Sequence, residues 1–251
     1  MVVEGPICTA GCTTREQIYE DNANRSFLIY LDESFEQDSR IMDYQRALSA
    51  NMVDLESEHQ AQALLKNSQR MLEPIKVVNP FAQDLKIPQE VFKPRRTNNH
   101  YLQFIEVVTF YHQFQREQKV DENTGELYIE TTLEDIREAN TLLKEVLLRK
   151  SDNLTGACRN HFERLKLFLI GQSDKYFTNR QISTLFRIPL TTIKRYHLDL
   201  VQNGFLKKRK PSGSKAFVYE VISFEEYAQL RTNIATVLDD VLSDIEKRTR
   251  G

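Results

Sequence analysis

The sequence predicts a mostly α-helical α+β protein whose C-terminal part is a helix-turn-helix followed by a basic β-hairpin. Apolar residues at three- and four-residue spacing, the pattern of amphipathic helices, dominate most segments, and only a few short stretches resemble strands. Positive charge is concentrated between Lys175 and Tyr219, where ten lysines and arginines accompany one acid, Asp199, for a charge of +9. Since the 251-residue chain has a net charge of −2, the remainder carries −11, a division typical of proteins that bind a polyanion.

The composition argues against the secreted and membrane-spanning classes. No apolar run approaches the ~20 residues of a membrane span, and the N-terminus lacks the pattern of a secretory signal. We therefore expect a cytoplasmic protein without a membrane partner. Its three cysteines, Cys8, Cys12 and Cys158, are too few for a disulfide framework and lack metal-ligand spacing, so we expect buried thiols and no metal site.

The first 35 residues resemble the end of an α/β core. Residues 7–14 are apolar or small and predict a buried strand, and residues 26–31 predict a second, strongly apolar one. Two isolated strands are marginally stable in water. We therefore expect the chain to begin within a domain.

The middle of the chain is predicted to be helical apart from two short extended pieces. The predicted helices occupy residues 36–72 with a break at 49–51, residues 97–118, a segment that starts with the capping box at Thr132, and the segment before Gly171; the extended pieces are residues 75–81 and 127–129. Apolar residues cover more than half the circumference of the 97–118 helix, which favours a central position. The best domain boundary lies at residues 171–174.

Residues 178–222 have the order of a winged helix-turn-helix. Thr178-Asn-Arg-Gln is a capping box that starts a short helix, and Pro189 separates it from a second helix. The second helix runs to about Gln202, and Gly204 ends it.

Two predicted strands, 205–209 and 216–222, follow this helix pair and are joined by a turn rich in proline, serine and glycine. His197 falls on the apolar stripe of the second helix. We therefore predict that it is a partly buried core histidine rather than a ligand.

The outward face of the second helix and the hairpin carry the residues predicted to bind DNA. An α-helix fits the major groove, where its side chains meet base edges, and basic residues of a hairpin lie against phosphates. The predicted DNA-binding residues are Thr191, Thr192, Lys194, Arg195, Lys207, Lys208, Arg209, Lys210 and Lys215. The alternative is a winged helix that binds protein, with its basic residues solvated.

Residues 224–251 predict a C-terminal amphipathic helix. The capping box Ser223-Phe-Glu-Glu precedes about six turns with a continuous apolar stripe. Such a stripe is buried against the same chain, which is the expected case, or against a second copy.

The N-terminal stretch Asn24-Arg25-Ser-Phe27, with the apolar strand after it, resembles the last core strand of minichromosome-maintenance-type AAA+ helicases. That family has a serine-arginine-phenylalanine-aspartate motif there, and its arginine acts as a finger on the ATP of a neighbouring subunit. The resemblance implies that Arg25 is this finger and that Thr13 or Thr14 is the sensor-1 residue. Asn24 and Phe27 replace the family's serine and aspartate, and a salt bridge at a strand start is the alternative role of Arg25.

Residues 95–148 are similar to the helical lid of the same family, including the helix start at Thr132. The resemblance implies that Arg95 or Arg96 is the sensor-2 arginine, unless His100 occupies that place. The alternative is that both arginines belong to a solvated turn.

A second resemblance covers nearly the whole chain. It is carried by Phe92-Lys-Pro-Arg-Arg-Thr97, Tyr111-His-Gln-Phe-Gln-Arg116 and Tyr128-Ile-Glu-Thr-Thr132. These motifs resemble the C-terminal part of large bacterial primase-like proteins, common on mobile elements. Such proteins join a CHC2 zinc finger and a Toprim primase domain to an AAA+-like ATPase and a winged helix.

The sequence lacks the parts that would make such a protein catalytic. A phosphate-binding loop needs the pattern Gly-x-x-x-x-Gly-Lys-Ser/Thr, and none of the eight glycines here precedes a lysine. The CHC2 cysteines and the Toprim acids are also missing. We expect no cofactor, with ATP and Mg²⁺ entering only if a partner supplies the phosphate-binding loop, and no ATP hydrolysis by this chain alone.

These observations predict four segments: a remnant of an AAA+ core (1–35), a helical linker and lid-like domain (36–171), a winged helix (175–223) and a C-terminal helix (224–251). The predicted function is that of a DNA-binding, non-catalytic fragment or accessory subunit of a primase- or helicase-like replication protein, alone or in a homo- or hetero-oligomer. The alternatives are an ATPase subunit active only with a partner that carries the phosphate-binding loop, and a winged-helix transcriptional regulator.

Overall fold

The computed structural model describes residues 10–12, 26, 27, 29, 32, 35–89, 91, 93–172, 175–211, 213 and 216–250. Over these residues the chain is α+β and mostly helical, which confirms the predicted class. It divides into two compact units. We call the one that contains Asp152–Tyr227 the basic unit, and the one that contains Phe27–Ser151 and Ala228–Gly251 the body.

The regular elements follow one another in a simple order. They are α1 Phe35–Ser49, α2 Leu55–Met71, β1 Lys76–Val78, α3 Pro94–Tyr111, β2 Lys119–Val120, β3 Leu127–Glu130, α4 Leu133–Ser151, α5 Gly156–Ile170, α6 Asn179–Phe186, α7 Leu190–Gln202, β4 Leu206–Arg209, β5 Val218–Val221 and α8 Glu226–Arg250, with a 3₁₀ turn at Gln113–Gln115. None of the helices in this part of the chain is both long and apolar enough to cross a membrane.

The body contains a small mixed sheet in the order β1-β3-β2. β1 runs parallel to β3, with Val77 opposite Ile129, whereas β2 is antiparallel to β3. The turn between β2 and β3 is closed by Asp121, whose carboxylate accepts hydrogen bonds from the backbone of the next residues, and by Gly125 at φ 71°. Glycine suits that turn because positive φ strains other residues.

Helix α3 contacts α4, β1 and β3. It buries Ile105 and Val108, but Val107 on its outer side is 47% exposed. The prediction of a central helix enclosed on several sides is therefore only partly right. The helix also ends earlier than predicted, at Tyr111, and the chain continues into the 3₁₀ turn.

The predicted capping box at the start of α4 is present. The Asp135 carboxylate accepts hydrogen bonds from the backbone N–H and the hydroxyl of Thr132, and the Asp135 N–H donates back to Thr132 Oγ1. Arg116 and His112 also contact this buried carboxylate. Burial opposes ionisation, but hydrogen bonds from Arg116 and Thr132 lower the pKa of Asp135 below its ordinary value.

Helix α8 buries its apolar stripe within the body, as in the expected case. The buried stripe residues are Ile234, Leu238, Leu242 and Ile245. Two ion pairs join α8 to α4: Arg137 of α4 pairs with Glu246 of α8, and Lys144 of α4 pairs with Asp239 of α8. Helices α1 and α2, in contrast, have no buried residue.

The basic unit has one apolar core, to which α5, α6, α7 and both strands of the hairpin contribute. Its buried residues are Leu154, Cys158, Phe162, Leu165, Leu169, Phe177, Ile182, Phe186, Ile193, Tyr196, Leu200, Leu206, Tyr219 and Val221. The core thus includes α5, a helix that precedes the boundary placed at residues 171–174 from the sequence.

A buried ion network joins α5 to the residues that follow the hairpin. Arg159 forms a bidentate pair with Asp152, both bonds at 2.7 Å, and contacts Glu226 at 2.6 Å and Glu163 at 3.1 Å. Lys166 bonds the same two glutamates. Burial opposes the charge of Arg159, but hydrogen bonds and the charge of Asp152 raise its pKa above the ordinary value.

Candidate nucleic-acid interface

Local signals set the turn between α6 and α7. Thr178 and Gln181 form a reciprocal capping box, with Thr178 N donating to Gln181 Oε1 at 2.7 Å, so α6 begins where predicted. It ends at Phe186, the C-cap residue Arg187 has φ 55°, and Ser183 Oγ donates to the carbonyl of Ile188 at 2.7 Å. Pro189 follows as the N-cap residue of α7. The two consecutive helices predicted from these residues are therefore present.

Helix α7 has one buried and one exposed face. Ile193, Tyr196, His197 and Leu200 are buried in the core. The opposite face is polar and basic: Thr191, Lys194, Arg195 and Gln202 are exposed, and Thr192 is half-buried. The residues predicted to read DNA therefore lie on the side of α7 that the core leaves open.

His197 fixes α7 through a buried polar chain. Its Nδ1 lies 2.6 Å from Asn179 Oδ1 at the start of α6, and its Nε2 lies 3.1 Å from Nε2 of His161 on α5. Asn179 Nδ2 in turn donates to the Tyr219 hydroxyl on β5 at 3.3 Å. The prediction of a core histidine is confirmed, although His197 is fully rather than partly buried. Its role is to hold the exposed face of α7 in a fixed position relative to α5, α6 and the hairpin.

The hairpin is joined to the end of α7 by backbone bonds. Phe205 N donates to the Leu200 carbonyl at 2.8 Å, and Ile222 N donates to the Phe205 carbonyl at 3.0 Å. β4 and β5 are antiparallel with Leu206 opposite Val221, and both side chains are buried. The end of the hairpin that carries Leu206 and Val221 is thus attached to the end of α7.

All four predicted DNA-binding residues of β4 and its end are exposed: Lys207, Lys208, Arg209 and Lys210. Two of them have partners within the hairpin. Arg209 pairs with Glu220 at 2.9 Å, and Lys208 Nζ lies 4.0 Å from the centroid of the Phe217 ring. Glu220 therefore neutralises the charge of Arg209, one of the residues predicted from the sequence to bind DNA.

Several predicted residues lie outside the described part of the chain. They are Arg25, Thr13, Thr14 and Lys215. The roles of finger, sensor-1 residue and phosphate contact assigned to them remain predictions. Most of the two N-terminal strands falls in the same undescribed stretch.

Arg95 and Arg96 are exposed in the first turn of α3. One turn further on, His100 Nδ1 accepts a hydrogen bond from Lys150 Nζ at 3.2 Å. Burial, together with the charges of Lys150 and Arg96, lowers the pKa of His100. The structure therefore brings Arg96, His100 and Lys150 close enough to interact, and the sensor role stays a prediction.

Three residues near the interface were missed from the sequence. Leu198 lies on the outer face of α7 and is 54% exposed, in line with Lys194 and Arg195. Tyr176 and Phe217 are exposed aromatic residues beside the hairpin cations. The spacing of Leu198 relative to Lys194 could have revealed it, because residues four apart share a helix face.

Within the described ranges no group of three or more His, Cys, Asp or Glu residues could hold a metal ion. The expectation of buried thiols is correct for Cys158 and wrong for Cys12, which is exposed.

Comparison with known proteins gives no family for this chain. No family model matches it, and no curated protein matches it. One solved structure, described as a possible transcriptional regulator from Methanosarcina mazei Go1, matches 53% of this chain and 98% of its own, at 16% identity and a TM-score of 0.27. That TM-score is too low to support an argument about fold or function.

Proposed function

We propose that the basic unit is a winged helix that binds duplex DNA through the outer face of α7 and the basic end of the hairpin. The observation that supports this most is the division of α7 into a buried apolar face and an exposed basic one. Lys194 and Arg195 project from a helix whose other side is fixed in the core through His197.

The geometry of α7 matches what a major-groove reader requires. A helix of this diameter enters the major groove of B-DNA, and residues on its outer face reach base edges. Thr191 and Thr192 can donate and accept hydrogen bonds there, and Leu198 offers an apolar contact to a thymine methyl group. Lys194 and Arg195 bind phosphate or the acceptors of guanine.

The hairpin cations supply affinity rather than sequence selection. Lys207 and Lys210 are exposed, and phosphate contacts of this kind strengthen binding without reading bases. Arg209 contributes less, because Glu220 already occupies its guanidinium. We therefore expect Lys194, Arg195, Lys207 and Lys210 each to contribute more to duplex binding than Arg209 does.

The resemblance to primase-like proteins supports a further part of the proposal, which concerns the cellular process that the chain serves. We propose that the chain serves DNA replication as a non-catalytic component and that Arg25 acts on ATP only beside a partner that carries the phosphate-binding loop. The purified chain then hydrolyses no ATP alone. ATP hydrolysis by the chain alone, lost in a variant of Arg25, would contradict this role.

An electrophoretic mobility shift with duplex DNA tests the interface. The variant K194A/R195A/K207A/K210A is expected to lose at least about tenfold in affinity, because each lost phosphate contact weakens binding. The matched control is R40A/K66A/R70A/K86A, which likewise removes four exposed cations, all of them from the body. Unchanged binding by the fourfold variant, or an equal loss in the control, would contradict the proposal.

A further inference from the structure

The basic unit contains an open cavity lined by α5, α6 and the chain between them. Its volume is about 680 Å³, and cavities that bind small molecules usually measure about 300–1,000 Å³. Five apolar side chains line it: Phe168, Leu169, Phe177, Ile182 and Leu185. The cavity therefore has the size and the apolar lining of a site for a small organic molecule.

Part of this lining is rigid because it also belongs to the core of the unit. Leu169, Phe177 and Ile182 are buried core residues, and Phe177 is held to β5 by backbone bonds of 3.1 and 2.8 Å. The ring of Phe168 meets that of Phe186 edge to face, with 6.2 Å between their centroids. The apolar part of the lining is thus formed before a ligand arrives, which lowers the entropic cost of binding.

Among the described residues that line the cavity, Arg180 is the one charged side chain, so the lining there is positive. Arg180 is exposed, and its guanidinium has no hydrogen bond or ion pair with another residue in the described part of the chain. Thr184 also lines the cavity, and it lies four residues further along α6, on the same helix face. A guanidinium and a hydroxyl are therefore available to one polar group of a ligand.

This lining suits a ligand with an apolar body and one anionic group. Apolar walls favour a hydrocarbon or aromatic body, because binding removes that body from water. A guanidinium donates two parallel hydrogen bonds to a carboxylate, so an acid group gains most from Arg180. A cationic ligand would be repelled by Arg180, and a wholly apolar one would gain nothing from it.

We propose that this cavity binds a small organic acid, with its apolar body against Phe168, Ile182 and Leu185 and its anionic group on Arg180 and Thr184. This activity goes beyond the proposed binding of DNA and does not depend on it, since none of the five residues belongs to the surface proposed to contact DNA.

Fluorescence titrations of the full chain with two probes test this proposal. The anionic probe is anilinonaphthalene sulfonate, and the neutral probe is N-phenylnaphthylamine, the same skeleton without its sulfonate. The sulfonate represents the acid group of the ligand. We expect R180A to weaken binding of the anionic probe by about tenfold and to leave the neutral probe unchanged, because a charge-assisted hydrogen bond is lost.

Three further variants separate the charge from the apolar contact. L185N removes an apolar lining residue that is 48% exposed, so we expect weaker binding of both probes. R180K keeps the positive charge and is expected to retain more affinity for the anionic probe than R180A does. R70A removes an exposed arginine from α2 of the body, and this matched control is expected to change neither titration.

Amide NMR shifts of the unaltered chain locate the bound anionic probe and remain decisive if a variant does not fold. We expect the largest shifts at residues 168–172 and 178–185. Equal affinity of the unaltered chain and R180A for the anionic probe, shifts confined to other elements, or the absence of saturable binding would each overturn the proposal. An equal loss in R70A and R180A would do the same. None of these results bears on the binding of DNA by α7.

Discussion

The imidazole rings of His161 and His197 meet Nε2 to Nε2 at 3.1 Å in the core of the basic unit. The hydrogen-bond network assigns their tautomers. His197 Nδ1–H donates to Asn179, so its Nε2 accepts the proton of His161 Nε2, and His161 Nδ1 has no hydrogen-bond partner among the described residues. Both rings are therefore neutral: a proton on His197 Nε2 would break this chain of bonds, and a proton on His161 Nδ1 would be buried without an acceptor among the described residues.

The first prediction concerns pH. Burial, with the charge of Arg164, lowers the pKa of His161 to about 4; burial, with the neighbouring His161, lowers that of His197 to about 3. The unfolded chain binds protons at both positions below about pH 6.5. The free energy of unfolding is therefore highest above that pH and falls with acidification by up to about 1.4 kcal/mol per pH unit for each histidine.

Urea unfolding across this pH range measures the effect. The double variant H161F/H197F is expected to give a flatter dependence of stability on pH than the unaltered chain. Titration of the ring resonances by NMR gives a second measurement without a variant. Parallel pH profiles in the two proteins, together with ring titration near pH 6.5, would show that the pair is not the source.

The second prediction concerns the buried ion network. Replacing Arg159 with methionine removes a charge partner of Asp152, Glu163 and Glu226, and Lys166 still bonds the two glutamates but not Asp152 in the described part of the chain. Removing one partner of a buried ion pair costs about 3–5 kcal/mol. We expect a loss of this size in the free energy of unfolding.

Arg231→Met is the matched control, because Arg231 pairs with Glu145 at an exposed position. Exposed ion pairs contribute about 0–1 kcal/mol. Chemical denaturation that gives similar small losses for both variants would contradict the assignment of Arg159 as a structural centre of the unit.

The third prediction compares two glycines. Gly204 ends α7 at φ 79°, whereas Gly171 after α5 has φ −91°, and an added Cβ would meet nothing within 4 Å at either position. The two glycines therefore differ in backbone φ and not in the space available for a side chain. Thermal unfolding of G204A is expected to show a loss of about 1 kcal/mol, and G171A no loss or a small gain. Equal effects would mean that positive φ is not needed to end α7.

Local signals explain how much of the fold could be predicted. The Thr178 capping box, Pro189 and Gly204 each act within one helical turn, so the helix pair was predictable from the residues themselves. The apolar stripe of α8 likewise predicted its buried residues. The early end of α3 at Tyr111 was not predictable, because the apolar pattern continues to Phe114 although the helical hydrogen bonds stop.

The positive charge of the candidate site could be predicted from the sequence, but the partners of its side chains could not. The partner of His197 is 36 residues away in sequence, and only packing brings His161 to it. The pairing of Arg209 with Glu220 depends on the register of the hairpin, which sequence spacing does not fix. The role of Arg25 stays a prediction, since that residue lies outside the described part of the chain.

The salt dependence of duplex binding tests the central claim most directly. The logarithm of affinity falls linearly with the logarithm of salt concentration, with a slope of about −0.9 for each phosphate neutralised. Anisotropy measurements over a salt series are expected to give a steep slope for the unaltered chain, and one shallower by about 3 to 4 for K194A/R195A/K207A/K210A. Binding that does not depend on salt, or the same slope in both proteins, would contradict the assignment of α7 and the hairpin to DNA.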